Sequence, residues 1–163
     1  MLPMIVILIL SIIISYIIIQ IYNFMCLKNQ YESFKSATYI YMRKKVDQMP
    51  KLLNNIRYSV GEIDELIEII KLRNKYVEDQ NINENIKIMH ECNRLLGVIF
   101  NKHPNLLNDE EIQAKKNEWY DIDAVLRENS SQYIACAKKY NDMFDSLICL
   151  PVIKIFKYEK EDV

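Results

Sequence analysis

The first 27 residues constrain this chain most strongly, because Met1 to Leu27 contain no Asp, Glu, Lys or Arg and consist mainly of Ile, Leu, Val and Met. A helix needs about 20 mostly apolar residues to cross the hydrocarbon core of a bilayer, which is ~30 Å thick. The segment meets that length, so we predict a transmembrane anchor over residues 1–27. The other residues are then expected to form a polar domain attached to one face of the membrane.

Two cleavable signals were weighed against the anchor and fit the segment poorly. A secretory signal peptide has a positively charged start, a shorter apolar region and a small-residue cleavage site, whereas this chain begins Met-Leu-Pro-Met. A lipoprotein signal at Cys26 is not expected either, because Asn, Phe and Met precede that cysteine instead of small residues. We therefore expect the anchor to be retained.

The scarcity of turn residues favours helices in the rest of the chain. Two glycines and four prolines among 163 residues are too few for the tight turns of an all-β fold. The predicted fold class is all-α, with the transmembrane helix continuing into an antiparallel bundle of about four long helices. The predicted boundaries are an anchor at 1–27, a helical-bundle domain at 28–150 and a C-terminal tail at 151–163, apolar and then charged.

Charge is distributed unevenly along the chain. Residues 28–58 carry seven basic and two acidic side chains, a net charge of +5, whereas residues 59–163 carry 14 basic and 20 acidic side chains, a net charge of −6. Positive charge beside a spanning helix marks its cytoplasmic side. We therefore predict a single-pass protein of the cytoplasmic membrane with its N-terminus outside and its domain in the cytoplasm.

Apolar residues recur at three-four spacing, which is typical of helices with one packed face. The first stripe continues from the anchor to Met49, and Pro50 then predicts a bend or break, since proline disfavours a helical conformation at the preceding residue and suits the start of a new helix. A second stripe predicts a helix from Leu53 to Val77.

Two further helices are predicted from capping and stop signals. Asn residues at 81–83 suit a turn or an N-cap before a helix with its stripe over Ile86–Phe100, which should end near His103-Pro104. The segment 108–111 supplies a cap and an acidic first turn for a long helix that extends to Leu147.

The basic residues after the anchor form the first candidate site, a membrane-facing or partner-facing patch. Side chains of this kind attract anionic lipid headgroups near a membrane surface, although an ordinary solvated helix face explains the same pattern. The candidate residues are Arg43, Lys44, Lys45, Lys51 and Arg57, with Pro50 as a helix joint.

The C-terminal tail supplies the second candidate site. Its apolar run is too short to cross a bilayer, and we expect either contact with the membrane interface, with lysines reaching headgroups, or burial against the helices. The candidate interfacial residues are Val152, Ile153, Lys154, Ile155 and Phe156.

Motifs for catalysis or cofactor binding are not evident. The four cysteines form no Cys-x2-Cys pair, His90-Glu91-Cys92 lacks a second pair of metal ligands, and the two glycines are too far apart for a phosphate loop. The acidic balance beyond residue 58 disfavours nucleic-acid binding. We expect no enzymatic activity, no cofactor, no metal and no small-molecule substrate.

Several short motifs resemble the bacterial LemA family in their order and spacing. The matching residues near the N-terminus are Tyr22-Asn23, the Arg43-Lys44-Lys45 cluster, the segment Asp47–Leu53 with Pro50 at its centre, and Glu62, Leu66 and Arg73. Later matches are His103-Pro104-Asn105-Leu106, Tyr133 and Tyr140-Asn141. Departures at Leu107, Ile134 and Leu150-Pro151 indicate a divergent member.

The resemblance implies an anchored helical-bundle domain without a defined enzymatic activity, and a magnetosome-forming branch of the family implies membrane shaping. The predicted function is a membrane-anchored scaffold or interaction protein that organises or shapes the cytoplasmic membrane. The alternative is an adaptor or regulator of an envelope signalling or proteolysis system. Expected partners are the lipid bilayer and either a second copy or another membrane protein.

Overall fold

A computed structural model describes residues 2–76, 81–144, 154, 159 and 160. Four α-helices account for most of these residues: α1 (Leu2–Val60), α2 (Asp64–Lys75), α3 (Ile82–Lys102) and α4 (Glu110–Phe144). A short 3-10 helix at Pro104–Asn108 connects α3 to α4. Strands are absent from the described residues, so the all-α prediction is confirmed for this part of the chain.

Helix α1 continues from the apolar segment through Pro50 to Val60. The predicted continuation is therefore confirmed. Of the two alternatives predicted at Pro50, the break is wrong, and the bend stays a prediction. Proline inside a helix costs about 3 kcal/mol, because it lacks an N–H donor and its ring crowds the preceding turn. Met49, Leu52 and Ile56, which flank the proline, are buried in one apolar core. Burial of such side chains contributes about 1.5–3 kcal/mol each, which outweighs the cost of the proline.

The break that does occur lies at Gly61. This glycine has a φ of +79°, a left-handed conformation that suits glycine, and its N–H donates to the Arg57 carbonyl oxygen at 2.8 Å. The single second helix predicted for residues 53–77 is therefore divided between the end of α1 and α2. Apolar spacing did not reveal the division, because residues on both sides of it, such as Ile56 and Leu66, enter the same core.

Side-chain caps fix the starts of α3 and α4. The Asn81 side chain accepts a hydrogen bond from the backbone N–H of Asn83 at 2.9 Å, and the Asp109 carboxylate accepts from the N–H groups of Glu111 and Ile112 at 2.9 and 3.1 Å. Such caps satisfy backbone donors that a helix start leaves without partners. Both predicted caps are confirmed, and α3 ends as predicted beside the His-Pro step.

The chain divides into two compact units. Lys35–Ser130 forms one of them, and its core contains residues from all four helices, among them Met49, Leu66, Leu96, Ile99 and Trp119. Helix α2 packs against α3 in this unit through Leu66 and Ile69.

The second unit consists of Met1–Phe34 and Ser131–Val163. Aromatic rings from α1 and α4 pack together here: Phe24 and Tyr140 have ring centroids 5.1 Å apart, Tyr31 and Tyr140 5.4 Å, and Tyr31 and Tyr133 6.0 Å. All four side chains are buried, so these rings contribute to packing. The domain boundaries predicted at residues 27 and 150 remain predictions.

Candidate functional site

The first turns of α1 carry an apolar surface that the described residues leave uncovered. Every residue from Pro3 to Ile19 is exposed, and the most apolar stretch of this helix is 0% buried. Among the described residues one helix, α1, is long enough and apolar enough to cross a membrane, judged by its length and composition. Exposed apolar surface of this extent marks a contact with a membrane or another protein.

Four of the five predicted basic residues lie on exposed positions of α1: Arg43, Lys44, Lys51 and Arg57. We call these four residues the basic patch. Lys44 lies 4.8 Å from the centroid of the Tyr41 ring, and Arg57 is paired with Glu62 at 3.0 Å. Arg43, Lys44 and Lys51 fall within about 100° of arc on the helix, given ~3.6 residues per turn. Contact of the patch with lipid or protein stays a prediction.

Lys45 is the exception, because its exposed fraction is 0%. Its inclusion in a membrane-facing or partner-facing patch is wrong. The physical reason is its place on the buried stripe of α1, three residues after Met42 and four before Met49, both of which are also fully buried. Lys45 points into the protein, whereas its neighbours Arg43 and Lys44 point outward.

Inside the unit Lys35–Ser130, Lys45 joins a network of polar side chains from three helices. Its ammonium donates to Asn93 Oδ1 on α3 at 2.7 Å and to Asp123 Oδ1 on α4 at 2.5 Å. Asn93 Nδ2 donates to the same Asp123 oxygen at 2.5 Å, and Trp119 Nε1 donates to Asn93 Oδ1 at 2.7 Å. Arg127 Nε donates to Asp123 Oδ2 at 2.7 Å. We call these five residues the interior network.

Burial makes the charges of the interior network interact strongly. The side chains of Lys45 and Asp123 are 0% and 4% exposed, whereas that of Arg127 is 57% exposed. The Lys45 ammonium also lies 4.2 Å from the centroid of the Trp119 ring, a favourable cation–π position. Arg127 therefore connects a buried carboxylate to the solvent.

The pKa values of the two buried charged side chains differ from their ordinary values. Burial lowers the pKa of Lys45, and the hydrogen bond and charge of Asp123 offset part of that effect. Burial also acts to raise the pKa of Asp123, but hydrogen bonds from Lys45 and Asn93 together with the charges of Lys45 and Arg127 outweigh it, so the pKa of this carboxyl lies below its usual value. Each of the two charges therefore favours the ionised form of the other.

The described residues also include a buried cysteine and a cavity outside the interior network. Burial raises the pKa of the Cys92 thiol to about 11, so this cysteine stays protonated at neutral pH and is a poor nucleophile or metal ligand. Within the described ranges, no group of three or more His, Cys, Asp or Glu side chains is arranged to hold a metal ion. A cavity of about 330 Å³ lies beside Ser59, His103 and Asp109, and the residues that line it do not belong to the interior network.

Sequence reasoning did not identify Asn93, Asp123 and Arg127 as a group. One signal was present: Asp123 follows Trp119 by four residues and precedes Leu126 by three, so a carboxylate lies on the same buried helix face as these two apolar residues. Lys45 occupies the stripe of α1 in the same way. A charge of each sign on two buried stripes indicates a buried pair.

Most of the predicted interfacial tail lies outside the described residues, namely Val152, Ile153, Ile155 and Phe156. Lys154 is described and is exposed. Further along, the Glu159 carbonyl oxygen accepts a hydrogen bond from the Tyr140 hydroxyl at 3.2 Å. Contact of the tail with the membrane interface remains a prediction.

These observations define an all-helical protein whose N-terminal helix begins with a long, exposed apolar segment. The sequence profile of the LemA family matches residues 35–163, and the chain belongs to this family. The matched range begins after the apolar segment and includes the whole interior network. A comparison with curated proteins found no match.

Proposed function

We propose that the protein is anchored in the cytoplasmic membrane by the start of α1, with its N-terminus outside and its helical domain in the cytoplasm. The observation that carries this proposal is the complete exposure of the apolar residues from Pro3 to Ile19. Such a surface is unfavourable in water and favourable in hydrocarbon. The excess of basic residues in 28–58 supports the cytoplasmic side for the domain.

We further propose that the helices form an antiparallel bundle. Contacts between α1 and α4 support this arrangement, because Tyr31 stacks near Tyr133 whereas Phe24, seven residues earlier, stacks on Tyr140, seven residues later. When successive contacts lie later in one helix and earlier in the other, the two helices are antiparallel.

The function that we propose for this bundle is a scaffold or interaction module that organises or shapes the membrane, without enzymatic activity. Two features support it. The chain belongs to the LemA family, and the charged side chains buried in the described interior, Lys45 and Asp123, are paired with each other and with Asn93. The basic patch is the proposed contact surface.

The patch is tested by reversing two of its charges in the full-length protein. Arg43→Glu with Lys44→Glu is the informative variant, and Lys45 is left intact because its reversal would place a second buried carboxylate beside Asp123. Lys138→Glu with Lys139→Glu, an exposed basic pair on α4, is the matched control. A photo-crosslinking amino acid replaces Asn54, which is exposed on the same side of α1 as the patch.

Two readouts separate the outcomes. In proteoliposomes that contain a photoactivatable anionic lipid, we expect the reference and the Lys138/Lys139 variant to crosslink to lipid and the Arg43/Lys44 variant to lose this crosslink. Unchanged lipid crosslinking, together with loss of a protein adduct at position 54 in cells, would favour the adaptor function. No change in either readout would contradict a contact role for the patch.

A further inference from the structure

The interior network closes a triangle across three helices. Lys45 on α1, Asn93 on α3 and Asp123 on α4 each contact the other two, at distances of 2.5 to 2.7 Å. Trp119 adds a donor to Asn93, and Arg127 adds a donor to the second oxygen of Asp123. Since each edge of the triangle joins a different pair of helices, displacement of any one helix breaks two edges.

The buried residues around Lys45 repeat with a period of seven. In the unit Lys35–Ser130, the buried side chains of α1 alternate at spacings of four and three along this series: Thr38, Met42, Lys45, Met49, Leu52 and Ile56. Such a repeat is the pattern of helices that pack along one seam. Helix α4 has the same spacing at Trp119, Asp123, Leu126 and Ser130.

A seven-residue repeat leaves the register of packing ambiguous. A shift of α1 by one repeat would move it about 10 Å along its axis, given ~1.5 Å rise per residue, and would place Met42 where Met49 was and Met49 where Ile56 was. Apolar contacts would thus be exchanged for similar apolar contacts. Lys45 is the residue that would not match, because it would come to the place of Leu52.

We propose that the interior network is a register lock, which selects one packing of α1 against α3 and α4. In the register that brings Lys45 to the place of Leu52, the Lys45 ammonium would lie against apolar side chains, and the Asp123 carboxylate would lose that partner. Burial of a charged pair contributes little net stability, because desolvation offsets the attraction. A single polar residue on an apolar seam does, however, specify register at the expense of stability. The lock thereby fixes where the exposed basic patch lies relative to α3 and α4.

The decisive variant replaces both charges with apolar residues of similar size, Lys45→Met with Asp123→Leu, in the full-length protein in nanodiscs. Met49→Leu with Leu126→Met is the matched control, because it alters the same seam and leaves the network intact. Spin labels are attached through non-cysteine chemistry at Asn54 and Asp121, both exposed, since the chain contains four cysteines of its own. Pulsed electron resonance measures the distance between α1 and α4, and thermal unfolding measures stability.

We expect one narrow distance for the reference and the control. For the double variant we expect the helical content of the reference and a cooperative thermal transition, with a distance distribution that broadens or gains a second population. Its melting temperature should fall by no more than the loss of the acceptor of Asn93 Nδ2 accounts for. One narrow distance in the double variant, unchanged from the reference, would overturn the proposal. So would unfolding of the double variant, because the network would then be required for folding and not only for register.

A second comparison distinguishes loss of the Lys45–Asp123 pairing from a general loss of folding. The single variant Lys45→Met retains a buried carboxylate without its ammonium, and we expect its unfolding equilibrium constant to exceed that of the double variant by on the order of 100-fold. Equal stability of the single and double variants would contradict the pairing on which the lock depends.

Discussion

Lys45 and Asp123 are separated by 78 positions in the sequence and meet at 2.5 Å in the interior, where both side chains are almost completely buried. Neither charge is sufficiently solvated to remain there alone. The fold of residues 35–130 therefore depends on the two helices that carry them being brought together, with Asn93 filling the third corner. This dependence leads to a stability prediction that distinguishes Lys45 from its neighbours.

Replacement of Lys45 by Met should destabilise the protein by about 3–5 kcal/mol, because it leaves the Asp123 carboxylate buried without its principal partner. Replacement of the exposed Lys44 by Met should cost less than about 1 kcal/mol. Urea unfolding in mild detergent, followed by the fluorescence of the single tryptophan Trp119, measures both changes. Similar costs for the two lysines would contradict the burial of Lys45.

The pH dependence of stability should report the lowered pKa of Asp123. A carboxyl whose folded pKa is depressed stabilises the folded state above its unfolded pKa, about 3.9, and this contribution is lost as the pH falls through the folded pKa. We expect the urea midpoint to fall steeply below pH ~4 in the reference and less steeply in Asp123→Asn, which starts from a lower midpoint at neutral pH. Asp121→Asn, at an exposed position of α4, is the control and should retain the reference slope. A reference slope in Asp123→Asn would refute the assignment.

Two substitutions of Tyr140, which lies among the aromatic contacts between α1 and α4, distinguish the contribution of its ring packing from that of its hydrogen bond. Tyr140→Phe keeps the ring against Phe24 and Tyr31 but removes the hydroxyl that donates to the Glu159 carbonyl oxygen, so it should cost about 0.5–1.5 kcal/mol. Tyr140→Ala removes the ring and should cost about 3–5 kcal/mol. Thermal unfolding by circular dichroism measures the difference. Equal effects would mean that the ring contributes no packing energy.

Local signals in the sequence correctly predicted the start of α3, the end of α3 and the start of α4. The side-chain caps at Asn81 and Asp109 act within three residues of their own positions, so the necessary information is contiguous in the chain. Pro50 carries a local signal of the same kind, but the helix does not end there, because the apolar residues on both sides of the proline are buried in one core and outweigh its local cost. Tertiary packing overrides a local preference when the free energy gained by burial exceeds the local cost.

The interior network was beyond local reasoning for a different reason. Its members lie on three helices, and no window of the sequence contains Lys45, Asn93 and Asp123 together. The apolar stripes predicted which face of each helix is buried, but not which residues of two faces would meet. A basic residue beside two others therefore resembles part of a surface cluster, although the spacing of Lys45 from Met42 and Met49 places it on the buried face.

The membrane topology is tested most directly by protease digestion of the full-length protein in membrane vesicles of known orientation, after alkaline carbonate washing. We expect the protein to remain in the washed membranes. In inverted vesicles the protease should remove the helical domain, and in right-side-out vesicles the domain should be protected. Release of the protein by carbonate would contradict the proposed anchor. Digestion of the domain in right-side-out vesicles but not in inverted vesicles would contradict its orientation.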